Sequence, residues 1–411
     1  LRIAVVGQGG REHALAWKLG LEGHTIVGLP GNPGIAEIGT CVAVNLADVE
    51  SLAAACKAQA PDLVVVGPEA PLDAGLVDRL HALDVKVFGP TQKATRIESS
   101  KAYAKGLMRR AGVPTARFLT VLTAGELDTA IAAFGPAVAV KADGLAAGKG
   151  VVVCSEASEA RAAGLRLLER GPVVVEERLS GTELSVIAMT DGSHVVVLPP
   201  SRDHKRLLDG DLGPNTGGMG AVAPVHVPES LMGEIRETIL RPALAAMADD
   251  DAPFVGALFA GLMLTPSGPM ALEFNARFGD PETQSILGTL APDFPLGRLL
   301  FEAATGRLHE GTATASQSAC TIVIASKGYP ETPETGLPIT GVEQARATGA
   351  QVFHAGTRVS DGRLVSNGGR VLGVMMQGRD LEDARRRALA AARLIQLPGS
   401  HLRTDIGATS T

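Results

Sequence analysis

Short apolar runs alternate with longer mixed stretches along the first hundred residues. Ile3 to Gly7, Thr25 to Leu29, Leu63 to Gly67 and Val85 to Gly89 are of strand length and nearly unbroken in apolar character, as expected of strands covered on both faces. Between them, Arg11 to Leu19 and Ser51 to Gln59 have the length and composition of helices. The alternation predicts a right-handed, doubly wound parallel sheet that binds ligands outside the carboxyl ends of its strands. Its turns are Gly7-Gln8-Gly9-Gly10, Gly31-Asn32-Pro33-Gly34 and Gly67-Pro68-Glu69.

Ser99 and Ser100 then offer N-caps for a helix to about Arg110, closed by Gly112 with Pro114 beyond. From there to about Ser180 the pattern is strand, helix, strand, glycine-rich loop, strand, helix, strand, which predicts a small α+β unit. A polar, glycine-rich loop over 209–220 and a strand pair near 254–276 follow. From about Gln317 the chain has further strands and a last helix near Asp380 to Ile395. Asp380 and Asp383 stand there as N-cap and third-position acid, and Leu381, Ala384, Ala388, Ala391 and Ile395 form an apolar stripe. The expected divisions are 1–100, 101–316 with the small unit at about 113–180, and 317–411.

Composition narrows the class. A chain of 411 residues exceeds one ordinary core, and 45% hydrophobic with 20% charged residues is a globular balance. A formal charge of −6 argues against nucleic acid as the main partner. No apolar run reaches membrane-spanning length and the start reads as a strand, so a soluble cytoplasmic protein without membrane or nucleic-acid partners is expected. Cys41, Cys56, Cys154 and Cys320 lie far apart without metal-type spacing, which fits a reducing compartment.

The first glycine turn, Gly7 to Gly10, precedes a helix. A dinucleotide fingerprint would place a third glycine at position 12, where Glu12 stands, and an acid at the end of the second strand, which reads Val27-Gly28-Leu29-Pro30. A nicotinamide enzyme is therefore disfavoured. The turn predicts a bare helix N-terminus suited to one phosphate or carboxylate, with a purely structural turn as the alternative.

The strongest local signal is Val140-Lys141-Ala142-Asp143-Gly144-Leu145-Ala146-Ala147-Gly148-Lys149-Gly150-Val151. A strand delivers Lys141, and Gly144, Gly148 and Gly150 leave backbone N–H groups free to approach phosphate oxygens. The segment is not a Walker A loop, because no Lys-Ser/Thr pair opens a helix; an ordinary flexible hairpin is the alternative. Another strand ends in Glu176, Glu177, Arg178 and Leu179, with Glu183 beyond, acids that can read an adenine edge and a ribose or simply be solvated. In Glu273-Phe274-Asn275-Ala276-Arg277 the first, third and fifth side chains share one strand face. A carboxylate and an amide oxygen suit Mg²⁺, and an arginine beside them can clamp a carboxylate or phosphoryl group. The segment Asp209 to Gly220 holds five glycines and is expected to be neither helix nor strand; its N–H groups face external partners unless it is a disordered connector.

Taken in order, these segments resemble the ATP-grasp superfamily, and within it the phosphoribosylamine–glycine ligase family of purine biosynthesis. The resemblance runs through Gly9-Gly10-Arg11-Glu12-His13-Ala14, Gly67-Pro68-Glu69-Ala70-Pro71-Leu72, Ser100-Lys101-Ala102-Tyr103-Ala104-Lys105 and the Lys141 to Val151 loop. It continues through Asp203-His204-Lys205-Arg206, the Asp209 to Ala221 loop and Leu272 to Gln284. It implies an α/β and α+β multidomain fold: a doubly wound parallel N-terminal domain, an ATP-grasp core with a small lid, and a C-terminal α/β domain. It also implies glycine, 5-phosphoribosylamine and ATP as substrates, with Mg²⁺ or Mn²⁺; a monomer is expected.

By position, the resemblance implies that Lys105, Lys141, Gly144, Gly148, Gly150, Glu176, Glu177, Leu179 and Glu183 bind ATP, and that Glu273 and Asn275 bind metal. Gly9, Gly10, Arg11, Glu69, Asp203, Lys205, Asn215, Gly217, Gly218 and Arg277 would hold the smaller substrates, with Arg277, Lys141 and Asp211 catalytic. Three positions depart from the pattern. Arg202 replaces a frequent glutamine, Thr182 a frequent acid, and Met263 a further acidic metal ligand found in many superfamily members. The rival expectations are another carboxylate–amine ligase of the superfamily, a dehydrogenase, and a non-catalytic nucleotide sensor; the last has no use for Arg277.

Overall fold

A computed structural model describes residues 1–145 and 150–408. Strands β1 (Arg2–Gly7), β2 (Thr25–Pro30), β3 (Thr40–Cys41), β4 (Leu63–Val66) and β5 (Val87–Phe88) form a parallel sheet in the order β3-β2-β1-β4-β5. Ile3 and Val5 pack on one face with the helix Gly10–Leu21, while Ala4 and Val6 pack on the other with the helix Val49–Ala58. Both faces are dry, which is why these runs carry no polar alternation. The strand order reverses at β1, so the crevice beyond Gly7 is the natural place for a ligand.

The next unit has β6 (Phe118–Val121), β7 (Val138–Ala142), β8 (Val151–Cys154) and β9 (Val173–Glu177), ordered β6-β9-β7-β8 and antiparallel. Its helices, Ala124–Phe134 and Ala157–Leu168, close a separate small core; a Thr123/Glu126 capping box starts the first.

Beyond it come β10 (Thr182–Thr190), β11 (Val195–Val197), β12 (Arg202–Asp203), β13 (Arg206–Leu208), β14 (Leu212–Asn215), β15 (Gly220–Ala223), β16 (Gly256–Thr265), β17 (Gly268–Asn275) and β18 (Gly311–Thr312). Strands β17-β16-β10-β11-β18 make the central sheet. The 209–220 segment differs from expectation: its first half is a turn and strand β14, paired with β13. Left-handed residues at Gly210 (φ +71°), Asp211 (φ 54°) and Gly213 (φ +79°) permit the reversal, so its backbone finds partners inside the chain.

Strands β19 (Ser318–Ala325), β20 (Gln351–His354) and β23 (Arg370–Gly378) join β12 and β15 in a third sheet, β12-β15-β19-β23-β20; β21 (Thr357–Ser360) and β22 (Arg363–Ser366) form a hairpin beside it. The last helix, Leu381–Ala392, is capped by Asp380, which accepts from Asp383 N at 2.8 Å, and buries Ala384, Ala388 and Ala391. It ends at Ala392 rather than Ile395. The helix Glu282–Thr289 is buried along its whole length and touches β15, β19, β23 and the helix Gly10–Leu21, joining the sheets behind one cavity. No helix among the described residues is long and apolar enough to cross a membrane.

Candidate active site

The cavity has a volume of about 460 Å³ and lies where the parallel sheet, the small α+β unit, β17 and the third sheet meet. At one end two lysines converge on one carboxylate. The helix Lys101–Arg110, capped by Ser100, supplies Lys105, and β7 supplies Lys141. Both Nζ atoms lie 2.9 Å from oxygens of Glu176 on β9, and all three side chains are at most 7% exposed. Lys105 also donates to Thr115 Oγ1 at 2.7 Å, and Lys141 to the Leu272 carbonyl at 3.2 Å. Burial lowers the Lys105 ammonium to about 8, with Glu176 opposing the fall. Such a pair of fixed cations is a seat for polyphosphate.

The loop after β7 is tied to the same helix. Asp143 accepts from Ala102 N at 3.1 Å and from Ser100 Oγ at 3.3 Å, and Lys101 Nζ donates to the Gly144 carbonyl at 3.3 Å. Gly144, Leu145, Gly150 and Val151 thereby wall the cavity.

Glu273 and Asn275 line the middle of the cavity, with Phe274 and Ala276 buried behind them. The β16–β17 register shifts at Leu272, since Gly261 faces Glu273 while Leu262 faces Ala271. Burial opposes ionisation of Glu273, but Lys205, Lys141, Lys101 and Arg277 outweigh it and hold the carboxyl below its usual range. Among the described residues no group of three or more His, Cys, Asp or Glu is arranged to hold a metal. A hard divalent ion at Glu273 and Asn275 would therefore draw its remaining ligands from phosphate and water, which fits Mg²⁺ better than a closed protein cage.

At the far end Arg277 reaches Glu98 at 3.0 Å and Glu69 at 3.3 Å. Arg11 lies 3.9 Å from Glu69 and donates to the Phe278 carbonyl at 3.0 Å, as Arg277 does at 3.3 Å. Burial works against ionisation of Glu69, yet Arg277 and Arg11 keep its carboxyl below the usual range. Asp203, Lys205, Thr216, Gly217, Asp280, Glu282, Tyr329 and Arg370 complete this end.

Three family models match successive stretches of the chain. The model of the phosphoribosylglycinamide synthetase N domain matches residues 1–98, that of its ATP-grasp (A) domain residues 99–283, and that of its C domain residues 319–409. The chain belongs to the phosphoribosylglycinamide synthetase family. It is 47% identical over 417 aligned residues to the phosphoribosylamine–glycine ligase of Streptomyces coelicolor, covering 99% of each chain. It is 42% identical to the human trifunctional purine biosynthetic protein adenosine-3, covering 99% of this chain and 42% of that one. The crystal structure of phosphoribosylamine–glycine ligase from Thermotoga maritima superposes with a TM-score of 0.88 at 37% identity, over 99% of this chain and 100% of that one. Biotin carboxylase from Campylobacter jejuni shares the fold alone, with a TM-score of 0.73 at 13% identity.

Within this family fold, the cavity wall brings together Arg11, Glu69, Lys105, Lys141, Gly144, Gly150, Glu176, Asp203, Lys205, Gly217, Glu273, Asn275 and Arg277 from the sequence expectations. Others stand apart. Gly148 lies outside the described residues. Glu177 turns to Arg117 at 2.6 Å, Glu183 to Lys205 at 2.8 Å, and neither these acids nor Leu179 lines the cavity. Glu176 meets the lysines with its carboxylate rather than projecting toward a base. Asp211 is exposed and pairs with Arg403 at 2.8 Å, because the β13–β14 turn points it toward the chain's C-terminal end; Asn215 and Gly218 also lie off the cavity wall.

At the helix N-terminus no side chain among the described residues caps the first-turn N–H groups; Glu12 instead folds back onto the N-cap. Gly9 N donates to Glu12 Oε2 at 2.6 Å, and a Cβ at Gly7 or Gly67 would stand 2.5 or 2.2 Å from the Glu12 side chain, so these glycines make room for that carboxylate. Gly9 and Gly10 are off the cavity wall, while Arg11 is on it. His204 is held neutral, its pKa lowered to about 4 by burial, and accepts from Gly407 N at 3.2 Å, away from the cavity. Residues unassigned from sequence also line the site. Asp280 and Glu282 lie within a segment singled out for its resemblance, whereas Tyr329 and Arg370 had no local signal and arrive only through the third sheet.

Proposed function

We propose that the chain joins glycine to 5-phosphoribosylamine at the expense of ATP, releasing ADP, phosphate and glycinamide ribonucleotide. The observation that carries this reading is the convergence of Lys105, Lys141, Glu273, Asn275 and Arg277 on one cavity in a member of this family. The full-length likeness to ligases named for that reaction supports the choice of substrates. Four unpaired cysteines suit a cytoplasmic setting, and a net charge of −6 suits an enzyme acting on small molecules rather than nucleic acid.

A carboxylate resists attack because an oxide would have to leave. Transfer of the terminal phosphoryl of ATP to glycine gives glycyl phosphate, from which phosphate departs when the amine of phosphoribosylamine attacks the carbonyl carbon. Lys105 and Lys141 hold the phosphate chain, and Arg277, kept charged between Glu98 and Glu69, steadies the oxygens shared by donor and acceptor. Mg²⁺ or Mn²⁺, held by Glu273 and Asn275 when bound, would neutralise phosphate charge. Asp143, accepting from Ala102 N and Ser100 Oγ, fixes the strand end beside the nucleotide end of the cavity, where exclusion of water protects an acyl phosphate. No protein nucleophile is required, and burial pushes the Cys56 and Cys320 thiols up to about 12. ADP release measured with both small substrates, then with each omitted, tests the assignment. Equal release with another acid or amine in place of glycine or phosphoribosylamine would reassign the chain to a different ligation.

A further inference from the structure

Arg370 of the third sheet reaches into the cavity, and two separate segments meet on it. Arg370 opens β23, where Ile324 faces Leu372 but Ala325 faces Arg370, so the register slips at Val371 beside it. Such an irregularity re-aims a neighbouring side chain. The backbone there is fixed by Ser326 N donating to the Gly369 carbonyl at 2.8 Å and Gly356 N to the Arg370 carbonyl at 2.9 Å. The guanidinium, 22% exposed, donates through Nη1 to the Gly217 carbonyl at 2.5 Å and the Asp280 carbonyl at 2.6 Å. Its Nη2 meets Asp280 Oδ2 at 3.0 Å. Tyr329 Oη accepts from Gly217 N at 3.0 Å, so one residue is held by its N–H from one side and its carbonyl from the other. A Cβ at Gly217 would lie 3.1 Å from Arg370 Cζ, and one at Gly369 would lie 2.3 Å from the Tyr329 ring.

Gly217 is joined through Thr216 to the Lys205 carbonyl, and Asp280 follows directly on the Arg277 segment. We infer that Arg370, seconded by Tyr329, is a positioning residue for the two small substrates: it locks the Thr216–Gly218 turn and the Arg277–Asp280 segment into one rigid wall, and does nothing for the nucleotide. The C-terminal region thus completes the acceptor end of the site. The inference rests on the proposed ligation for the identity of those substrates.

Lysine keeps the charge at this position but cannot reach the Gly217 carbonyl, the Asp280 carbonyl and the Asp280 carboxylate with one fixed fork. In Arg370→Lys, kcat/KM for glycine and for phosphoribosylamine should fall about 30-fold or more, while KM for ATP and calorimetric ADP affinity stay within about twofold of wild type. Tyr329→Phe should show the same split, more weakly, and its effect should not add to that of Arg370→Lys. Ethylguanidinium should restore part of the activity of Arg370→Ala. Wild-type kinetics in Arg370→Lys, or an equal loss across all three substrates and ADP binding, would overturn the inference. If Arg370→Ala does not fold, the lysine and Tyr329→Phe variants still decide. A wild-type protein silent with glycine and phosphoribosylamine sinks the functional reading; an active wild type with an indifferent Arg370→Lys sinks only this inference.

Discussion

Replacing Glu176 by glutamine keeps the shape of the nucleotide end and removes the charge held between two lysines. In the structure both lysines lie 2.9 Å from Glu176, and Lys105 is 3% exposed. Burial has already brought Lys105 from 10.5 to about 8. At about 1.4 kcal/mol for each unit of pKa, a charged Lys105 costs the folded chain about 3 kcal/mol. Without the carboxylate that pKa falls further, and the added cost at about pH 6 is on the order of 2 kcal/mol through Lys105 alone. The cost is capped, because the amine can shed its proton. With the folded pKa below the unfolded one, the unfolded chain holds more protons and stability rises with pH across the interval. The deficit of Glu176→Gln should therefore deepen as pH falls below 8 and shrink above it. Urea unfolding at several pH values measures this, and a non-hydrolysable ATP analogue should stabilise the variant more than the wild type at low pH, since the triphosphate replaces the missing charge. A deficit constant across pH, or none, would refute the electrostatic reasoning.

Other outcomes follow from the same geometry. Glu273→Gln should raise the Mg²⁺ concentration needed for half-maximal turnover by about tenfold or more, read from metal titrations of ADP release, because a neutral amide replaces the one carboxylate at that position. Asp143→Ala removes the acceptor of Ala102 N, and a loss of about 1 kcal/mol there should raise KM for ATP about fivefold while leaving KM for glycine unchanged. Asp211→Ala should leave kcat within about twofold of wild type, since that carboxylate faces Arg403; a large drop would return it to the reaction.

Much of this was legible because it is local. Strands β1, β2 and β4 are apolar on both faces, and the strand–helix order around Lys141 is written in turn residues and caps, so their reading required no distant contact. The same holds for Glu273 and Asn275, whose shared face follows from strand periodicity, while Arg277 reaches the same cavity from the bend just past the end of β17. What failed to show in the sequence depends on partners far along the chain. Asp211 looked suited to chemistry until Arg403, 192 positions away, gave it another partner. The packing of the Gly9 turn was hidden because Glu12 reads only as the residue that breaks a fingerprint, not as the carboxylate that folds back onto Gly9 N. Arg370 sits in an ordinary strand start and acquires its place only when β23 pairs with β19, which is bound to β15 and so to the Gly217 turn.

The route through an acyl phosphate is tested most directly by the fate of oxygen. Glycine labelled with ¹⁸O in both carboxylate positions should, in one turnover with phosphoribosylamine and ATP, deliver one labelled oxygen to the phosphate released and keep the other in the amide product. Phosphate free of label would mean that the terminal phosphoryl never reached the acid held beside Arg277, and would contradict the function assigned to this cavity.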